Sequence, residues 1–374
     1  MSENSWQNGY GEYFESLEKQ LNKERNTKAV TEKKPDLSKG RKKAINFKGF
    51  YKVIRIRKSV LAMALAVVIT VATVLIVTLS SGGEEKTPTV SADKVTQQSV
   101  PKIPKRISYK ETIKTVDVPL SNDAKTAIVV DKSSNTIVAQ RNAHRRAYPA
   151  STTKIMTLLV AVENNKNLKD IFTMSYDITD PLYVADASLA GFLNNEKITV
   201  NDLIYGTILP SGAEAAMGLA VKTAGTEEEF VKLMNKKVKE LGLKNTNFTN
   251  VTGLHNEKNY SSAYDMAIIL DAAMQNDFCR EVLSTFQYTT TKTEQHPEGI
   301  LLSSTLFSNM YGTEPETATI LGGKTGYLNE SGYCIASFGK CNQNNNEYIV
   351  VTLGNSSRWP AVFGQIDLYK EFAE

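Results

Sequence analysis

The chain has 374 residues, of which 41% are apolar and 22% are charged, a composition that excludes a wholly disordered or collagen-like polymer. Its 44 Lys and Arg residues against 40 Asp and Glu residues give a net charge of only +4. Residues 1–58 hold 15 of the basic and 7 of the acidic side chains, so the rest of the chain is net acidic, which argues against a nucleic-acid partner for the main body.

The first segment, residues 1–58, is predicted to be a basic cytoplasmic region. Its sequence YGEYFESLEKQL places Tyr10, Phe14, Leu17 and Leu21 at helical spacing. Such a stripe either docks a cytoplasmic partner, whose identity the sequence does not give, or forms a short, marginally stable amphipathic helix without one.

A transmembrane helix is predicted at residues 59–80. Within it, residues 60–79 read VLAMALAVVITVATVLIVTL, with no charge and no proline. Twenty helical residues are about 30 Å long, which matches the hydrocarbon core of a bilayer. Basic residues between Lys48 and Lys58 precede this stretch, so the N-terminus should be cytoplasmic and the rest of the chain outside a single-pass cell-membrane anchor in contact with lipid. A cleaved signal peptide is the alternative, but its apolar region would be shorter and nearer the start of the chain.

Residues 81–115 are polar, contain Pro88, Pro101 and Pro104, and are predicted to be an extracytoplasmic linker. From residue 116 to 374 the pattern becomes that of a packed domain. It contains five β-prone runs, a mainly helical middle from residue 151 to about 275, and a terminal helix near residues 359–372. The five runs are 127–130, 136–140, 321–327, 333–338 and 348–353. This order predicts an α/β (α+β) fold in which helices cover both faces of one five-stranded antiparallel sheet.

Three cysteines, Cys279, Cys334 and Cys341, allow at most one internal disulfide, and the sequence does not decide between a bridge and buried thiols. The chain lacks the GxSxG, GxxxxGK[ST] and HExxH motifs, and its three histidines are far apart. We therefore predict no metal and no cofactor.

A serine paired with a lysine is the strongest chemical signal. Ser-x-x-Lys occurs five times, but only Ser151 and Lys154 begin an apolar-striped helix, where an offset of three residues puts both side chains on one face. A neutral lysine amine can take the proton of a serine hydroxyl if burial and nearby cations lower its pKa. The helix N-terminus also offers backbone N–H groups to a developing oxyanion.

A second signal is the sequence GGKTG at residues 322–326, the only Lys-Thr-Gly in the chain. On a strand flanked by glycines, a substrate backbone can approach closely while Lys324 and Thr325 meet a carboxylate.

Three ordered motifs carry a resemblance to a known family: PASTTKIMT at 149–157, LPSGA at 209–213 and GKTGY at 323–327. They resemble those of the penicillin-binding serine acyltransferases and, more narrowly, of the low-molecular-mass D-alanyl-D-alanine carboxypeptidases of peptidase family S11. The stretches EKITVNDL at 196–203, FTNVTGL at 248–254 and SSAYDMA at 261–267 agree with this. The resemblance runs from about residue 116 to the C-terminus and implies a β-lactamase/D,D-peptidase-like fold.

The resemblance implies that Ser151 attacks the bond between the two terminal D-alanines of a peptidoglycan stem peptide, with Lys154 as general base. It implies that Ser211 relays a proton to the leaving amine and that Lys324, Thr325, Gly326 and Tyr327 bind the substrate. Backbone N–H groups of Ser151 and Tyr327 would form the oxyanion hole, and β-lactams would acylate the same serine as covalent inhibitors.

The chain departs from the family at one position, and we expect two other parts of the family's architecture to be absent. The second motif of the family is usually Ser-x-Asn, whereas this chain has Ala213, followed by Glu214. A missing hydrogen bond to a reacting substrate costs about 1–3 kcal/mol, enough to slow turnover. Family members often carry a second β-rich domain and a C-terminal amphipathic anchor, and we expect the N-terminal helix to take over anchoring here.

Two other functions stay open from the sequence. A non-catalytic sensor of cell-wall peptides or β-lactams is favoured by Ala213 and by the Tyr10–Leu21 stripe. A β-lactamase would share the first and third motifs but needs a deacylating Glu, which the class A enzymes place after the second motif in Glu-x-x-x-Asn. Glu163 and Asn167 have that spacing but precede the second motif.

Overall fold

The computed structural model describes residues 107–313 and 315–373. The strands of this part of the chain are β1 (Val116–Asp117), β2 (Thr126–Asp131), β3 (Thr136–Arg141), β4 (Ile171–Thr173), β5 (Lys197–Thr199), β6 (Gln287–Thr289), β7 (Leu301–Ser303), β8 (Ala318–Leu328), β9 (Gly332–Cys341) and β10 (Glu347–Asn355). The main sheet has the order β1-β3-β2-β10-β9-β8, and two small two-stranded sheets pair β4 with β5 and β6 with β7.

The prediction of a five-stranded antiparallel sheet was wrong in strand number. The five long strands pair antiparallel, but β1 adds a sixth, parallel strand on the edge beside β3. Both residues of β1 are exposed. A two-residue exposed strand has no apolar alternation, so no sequence pattern could reveal it.

The helices lie between and after the strands. They are α1 (Lys154–Asn164), α2 (Tyr176–Val184), α3 (Val200–Ile208), α4 (Ala213–Ala224), α5 (Glu227–Leu241), α6 (Ala263–Met274), α7 (Asp277–Ser284), α8 (Thr305–Met310) and α9 (Arg358–Phe372). A 3₁₀ turn, Ala150–Thr153, leads directly into α1. The mainly helical middle predicted for the chain is therefore present.

Two apolar cores lie on opposite faces of the sheet. In β2, Ile128 and Val130 belong to the core shared with α1, α3, α4 and α6, whereas Ala127 and Val129 belong to the core shared with α9. Alternate residues of a strand point to opposite faces, so a fully buried strand serves both cores at once. Helices on both faces hold β8 and α1 in fixed positions at one edge of the sheet.

The described structure begins inside the segment assigned to the linker, and the last residues of that segment are packed. Ile107 and Tyr109 are buried, and the Tyr109 hydroxyl donates to Asp271 at 2.8 Å. Lys110 forms a parallel bridge to Thr136. The domain therefore includes residues before position 116.

The predicted anchor at residues 59–80 and the Tyr10–Leu21 stripe lie outside the described residues. Across 107–313 and 315–373, no helix combines the length and apolar character that crossing a bilayer requires. All three cysteines are buried free thiols.

Candidate active site

Ser151 is held in the 3₁₀ turn that precedes α1. Pro149 caps this turn, and Ala150 has a φ of 47°, in the left-handed region. The chain thus makes a sharp bend immediately before Ser151, and α1 begins at Lys154. The expectation that the serine stands at the start of an apolar helix agrees with this arrangement.

Lys154 reaches Ser151 from the first position of α1. Its Nζ lies 3.1 Å from Ser151 Oγ and donates to the carbonyl oxygen of Thr252 at 2.7 Å. The side chain is buried, and this desolvation lowers the pKa of Lys154 to about 7, against a smaller opposing effect of the Glu214 carboxylate. About half of the amine is thus neutral at pH 7 and able to accept the serine proton.

The carbonyl that orients Lys154 comes from a tight turn within FTNVTGL. Asn250 Oδ1 accepts the N–H of Gly253 at 2.7 Å, and Gly253 has a φ of 81°. A side chain on Gly253 would run into the carbonyl of Ala150, so the turn packs directly under the nucleophile. The motif is visible in the sequence, but the role of Thr252 is not, because a backbone carbonyl leaves no signature in a residue type.

Strand β8 forms the wall opposite α1. A Cβ atom on Gly326 would lie 2.7 Å from the backbone nitrogen of Ser151 and 3.0 Å from Ala150 Cβ. Only glycine permits this approach, and it brings the Lys-Thr-Gly segment against the serine. The serine–lysine pair and the GGKTG strand, distant in sequence, are thus brought together.

Lys324 is buried in this wall, with its Nζ donating to the carbonyl of Thr325 at 3.0 Å. Burial, and secondarily repulsion from Lys154, lowers the pKa of Lys324 well below its usual value. Two buried amines close enough to repel each other create a site that favours an arriving anion, because a carboxylate would offset the cost of charging them.

Thr325 and Tyr327 follow Lys324 on the same strand. The hydroxyl of Thr325 lies 2.8 Å from that of Thr305, the first residue of α8, another residue that sequence reasoning did not identify. Tyr327 is half exposed, its ring packs on Tyr333 at a centroid distance of 4.2 Å, and its hydroxyl donates to Asn329. Tyr327 thus stands at the solvent side of the strand.

Ser211 lies in a strained loop between α3 and α4. Its φ is 68°, its side chain is buried, and its Oγ has no hydrogen-bond partner among the described residues. The loop is fixed by backbone bonds, from Gly212 N–H to Gly206 and from Thr305 N–H to Leu209, both at 2.9 Å. A buried hydroxyl without a partner, held in a strained conformation, is typical of functional sites.

Ala213 and Glu214 begin α4, and both are buried. Glu214 Oε1 accepts backbone N–H groups of Ala190, Gly191 and Phe192 at 2.7, 2.8 and 3.2 Å. Burial raises the pKa of Glu214, against these hydrogen bonds. The carboxylate ties the loop before β5 to the start of α4, while Ala213 offers no polar group.

No group of three or more His, Cys, Asp or Glu side chains in 107–313 and 315–373 is arranged to hold a metal ion.

The three motifs and the residues around them match a known protein family. The peptidase S11 family, described as D-alanyl-D-alanine carboxypeptidase, matches residues 112–357. The chain belongs to this family. The match includes all three motifs and both walls of the site, so the S11 assignment and the geometry rest on the same residues.

Individual S11 relatives are moderately similar. D-alanyl-D-alanine carboxypeptidase DacF of Bacillus subtilis is 34% identical over 242 residues, which are 64% of this chain and 59% of the relative. DacA of Haemophilus influenzae is 34% identical over 237 residues, 62% of this chain and 57% of the relative. This chain therefore spans less than two thirds of the length of these two relatives.

Solved structures show the same fold. The Streptomyces K15 DD-transpeptidase superimposes with a TM-score of 0.58 at 29% identity, covering 67% of this chain and 97% of that one. Penicillin binding protein 5 from Haemophilus influenzae gives 0.59 at 30% identity, covering 68% of this chain and 71% of that one. The described domain of this S11 chain thus has the penicillin-binding, DD-peptidase type of fold.

Proposed function

We propose that this chain is a serine-type D-Ala-D-Ala carboxypeptidase that removes the terminal D-alanine of peptidoglycan stem peptides. The observation that carries the proposal is the 3.1 Å contact between Ser151 Oγ and a buried Lys154 amine whose pKa is about 7. Membership of family S11 and the names of the relatives support the same reaction.

The first step forms the acyl-enzyme. Lys154 takes the proton of Ser151, and Oγ attacks the carbonyl carbon of the penultimate D-alanine. The backbone N–H groups of Ser151 and Tyr327 stabilise the oxyanion, as the close approach of β8 to the serine suggests. The C–N bond then breaks, and the proton returns through Ser211 Oγ to the leaving amine.

The terminal carboxylate would bind between Lys324 and Thr325. Burial disfavours the Lys324 ammonium and lowers its pKa, and an arriving carboxylate raises this pKa and pairs with the ammonium. Water then adds to the ester carbonyl as Lys154 takes a proton from it, and the bond to Ser151 Oγ breaks as Lys154 returns that proton to Oγ. The products are the shortened peptide and free D-alanine.

Release of D-alanine tests the proposal. We expect the full chain to release D-alanine from a pentapeptide ending in D-Ala-D-Ala, and Ser151→Ala to release none while keeping the unfolding midpoint of the parent. Release that is absent from the parent, or unchanged in the variant, would refute the assignment.

A penicillin-binding sensor is the second candidate, favoured by the buried, apolar Ala213 in the second motif. It predicts that penicillin labels Ser151 covalently but that no D-alanine is released. Mass spectrometry of the intact chain after exposure to penicillin and to the pentapeptide separates the two functions.

We also propose that residues 59–80 anchor the chain in the cell membrane, with residues 1–58 in the cytoplasm and the domain outside. The uncharged stretch and the basic residues that precede it support this topology. The chain should stay in the membrane pellet after alkaline carbonate washing, and protease added to intact cells should degrade the domain. Release by carbonate, or full protection from protease, would contradict the topology.

A further inference from the structure

A cavity of about 440 Å³ lies beside the segment that leads to Ser151. Its volume is within the range of small-ligand pockets. Tyr148 lines it and precedes Ser151 by three residues, so their α-carbons are at most about 11 Å apart. Glu330, on the turn between β8 and β9, also lines it. We call this cavity the basic–acidic cleft.

The cleft carries charges of both signs. Lys125, Arg145 and Arg146 contribute three cations, and Glu257 and Glu330 contribute two carboxylates. Within the described residues, no ion pair shorter than 4.0 Å involves any of these five groups. None of the five groups is therefore held in a direct ion pair in this part of the chain.

Two of the cations that line the cleft, Arg146 and Lys125, are positioned by packing. The guanidinium of Arg146 lies 4.3 Å from the ring centroid of Tyr260, a cation–π contact. A Cβ atom on Gly354 would lie 2.9–3.1 Å from three carbon atoms of the Lys125 side chain, so the stem of this lysine lies directly against the glycine. Ordered stems reduce the entropy that these long side chains lose when a ligand binds.

A buried hydroxyl lies in the wall of the cleft. Thr126 lines the cleft, is 1% exposed, and its Oγ1 has no hydrogen-bond partner within the described residues. The wall thus contains an unpaired polar group as well as charged side chains.

We propose that the basic–acidic cleft binds a short free peptide, whose N-terminal ammonium pairs with the carboxylates of the cleft and whose C-terminal carboxylate pairs with its cations. A simple anion would face Glu257 and Glu330, and a simple cation would face three positive groups, whereas a zwitterion pairs with both sets. The choice of a peptide rests on the proposed function, because the cleft adjoins the site at which a wall peptide would be cut.

Equilibrium dialysis of the full chain with three radiolabelled probes tests the proposal. The probes are L-alanyl-L-alanine, its N-acetyl derivative, which lacks the ammonium, and its amide, which lacks the carboxylate. We expect the zwitterion to bind and each capped form to bind at least about tenfold more weakly, the effect of one charged hydrogen bond. Equal binding of all three probes, or no binding at millimolar concentration, would overturn the proposal.

Variants locate the site. Arg146→Gln and Glu257→Gln should each weaken the zwitterion about tenfold, whereas Lys258→Gln, next to Glu257 but outside the cleft, should leave it unchanged. Unchanged binding in both cleft variants would place the ligand elsewhere and refute the assignment. D-alanine release, measured in parallel, keeps the two proposals apart: release without zwitterion binding overturns only the cleft, and zwitterion binding without release overturns only the peptidase.

Discussion

Two effects act in opposite directions on the pKa of the buried Lys154 amine. Desolvation lowers its pKa to about 7, and the Glu214 carboxylate acts weakly in the other direction. General-base chemistry requires the neutral amine, so we expect the reaction to become faster as Lys154 loses its proton. The rate of Ser151 acylation by benzylpenicillin should therefore rise as pH increases from 6 to 8 and reach half its maximum near pH 7. Stopped-flow acylation measured across this range tests the expectation.

A substitution at Glu214 provides the matched control for that pH profile. Glu214→Gln keeps an oxygen for the three backbone N–H groups but removes the charge that raises the pKa of Lys154. The rising limb should move to lower pH. A rate independent of pH in the parent, or a limb that moves to higher pH in the variant, would contradict the role of Lys154 as base.

Ala213 is the position at which this chain lacks a polar group in the second motif. Ala213→Asn should return a carboxamide to the site and stabilise the reacting substrate by about 1–3 kcal/mol. We expect kcat/KM for D-alanine release to rise about tenfold. The apolar control Ala213→Val adds bulk without a donor and should not increase the rate; an equal increase in both variants would mean that packing, not hydrogen bonding, limits turnover.

At the residue scale, the sequence predicts those site residues whose side-chain type and local spacing are distinctive. Ser151 and Lys154 are three residues apart on a helical turn, so their proximity follows from local geometry. Thr252 contributes only a carbonyl, and Thr305 contacts Thr325 across a gap of twenty residues. Such contacts depend on how distant segments pack, and no residue type identifies them.

At the element scale, the site depends on the closeness of β8 to the turn before α1. Gly326→Ala would place a methyl group 2.7 Å from the backbone nitrogen of Ser151, so the strand must move away from the oxyanion position. Penicillin acylation should slow by at least about a hundredfold, the effect of losing one oxyanion-hole donor. The measurement is the second-order acylation rate constant.

Gly339→Ala is the matched control, because it crowds the same sheet away from the site. Its Cβ would lie 2.7 Å from the Thr319 carbonyl oxygen and 2.9 Å from the Tyr369 ring. It should lower the unfolding temperature yet leave the acylation rate of folded protein close to that of the parent. Equal rates in the Gly326 variant and the parent would show that β8 does not form the oxyanion site.

The elements that were predicted well have long, regular patterns. β2, β3, β8, β9 and β10 each have at least six residues, enough for an apolar run to be recognised. β1 has two residues, both exposed, and its parallel pairing with β3 follows from the path of the chain around the sheet edge. Its existence is a consequence of tertiary structure rather than of local sequence.

For the whole molecule, the boundary of the folded domain lies before residue 116. Ile107 and Tyr109 belong to the same core as α1 and α6, and the Tyr109 hydroxyl contacts both Asp271 and the carbonyl of Ala267. The linker prediction missed them because two apolar residues in a polar stretch have no period. These buried contacts make the two residues part of the domain that holds the candidate active site.

A comparison of two fragments tests this boundary. The fragment 107–374 should fold and react with penicillin at the rate of the full chain, since the sheet and both cores lie within it. The fragment 116–374 should lose about 3–5 kcal/mol of unfolding free energy, the effect of removing a buried aromatic side chain, and should expose Asp271 without its tyrosine donor. Urea denaturation gives both free energies. Equal midpoints would place residues 107–115 outside the cooperative unit, and a slower reaction of the longer fragment would show that residues before 107 contribute to the site.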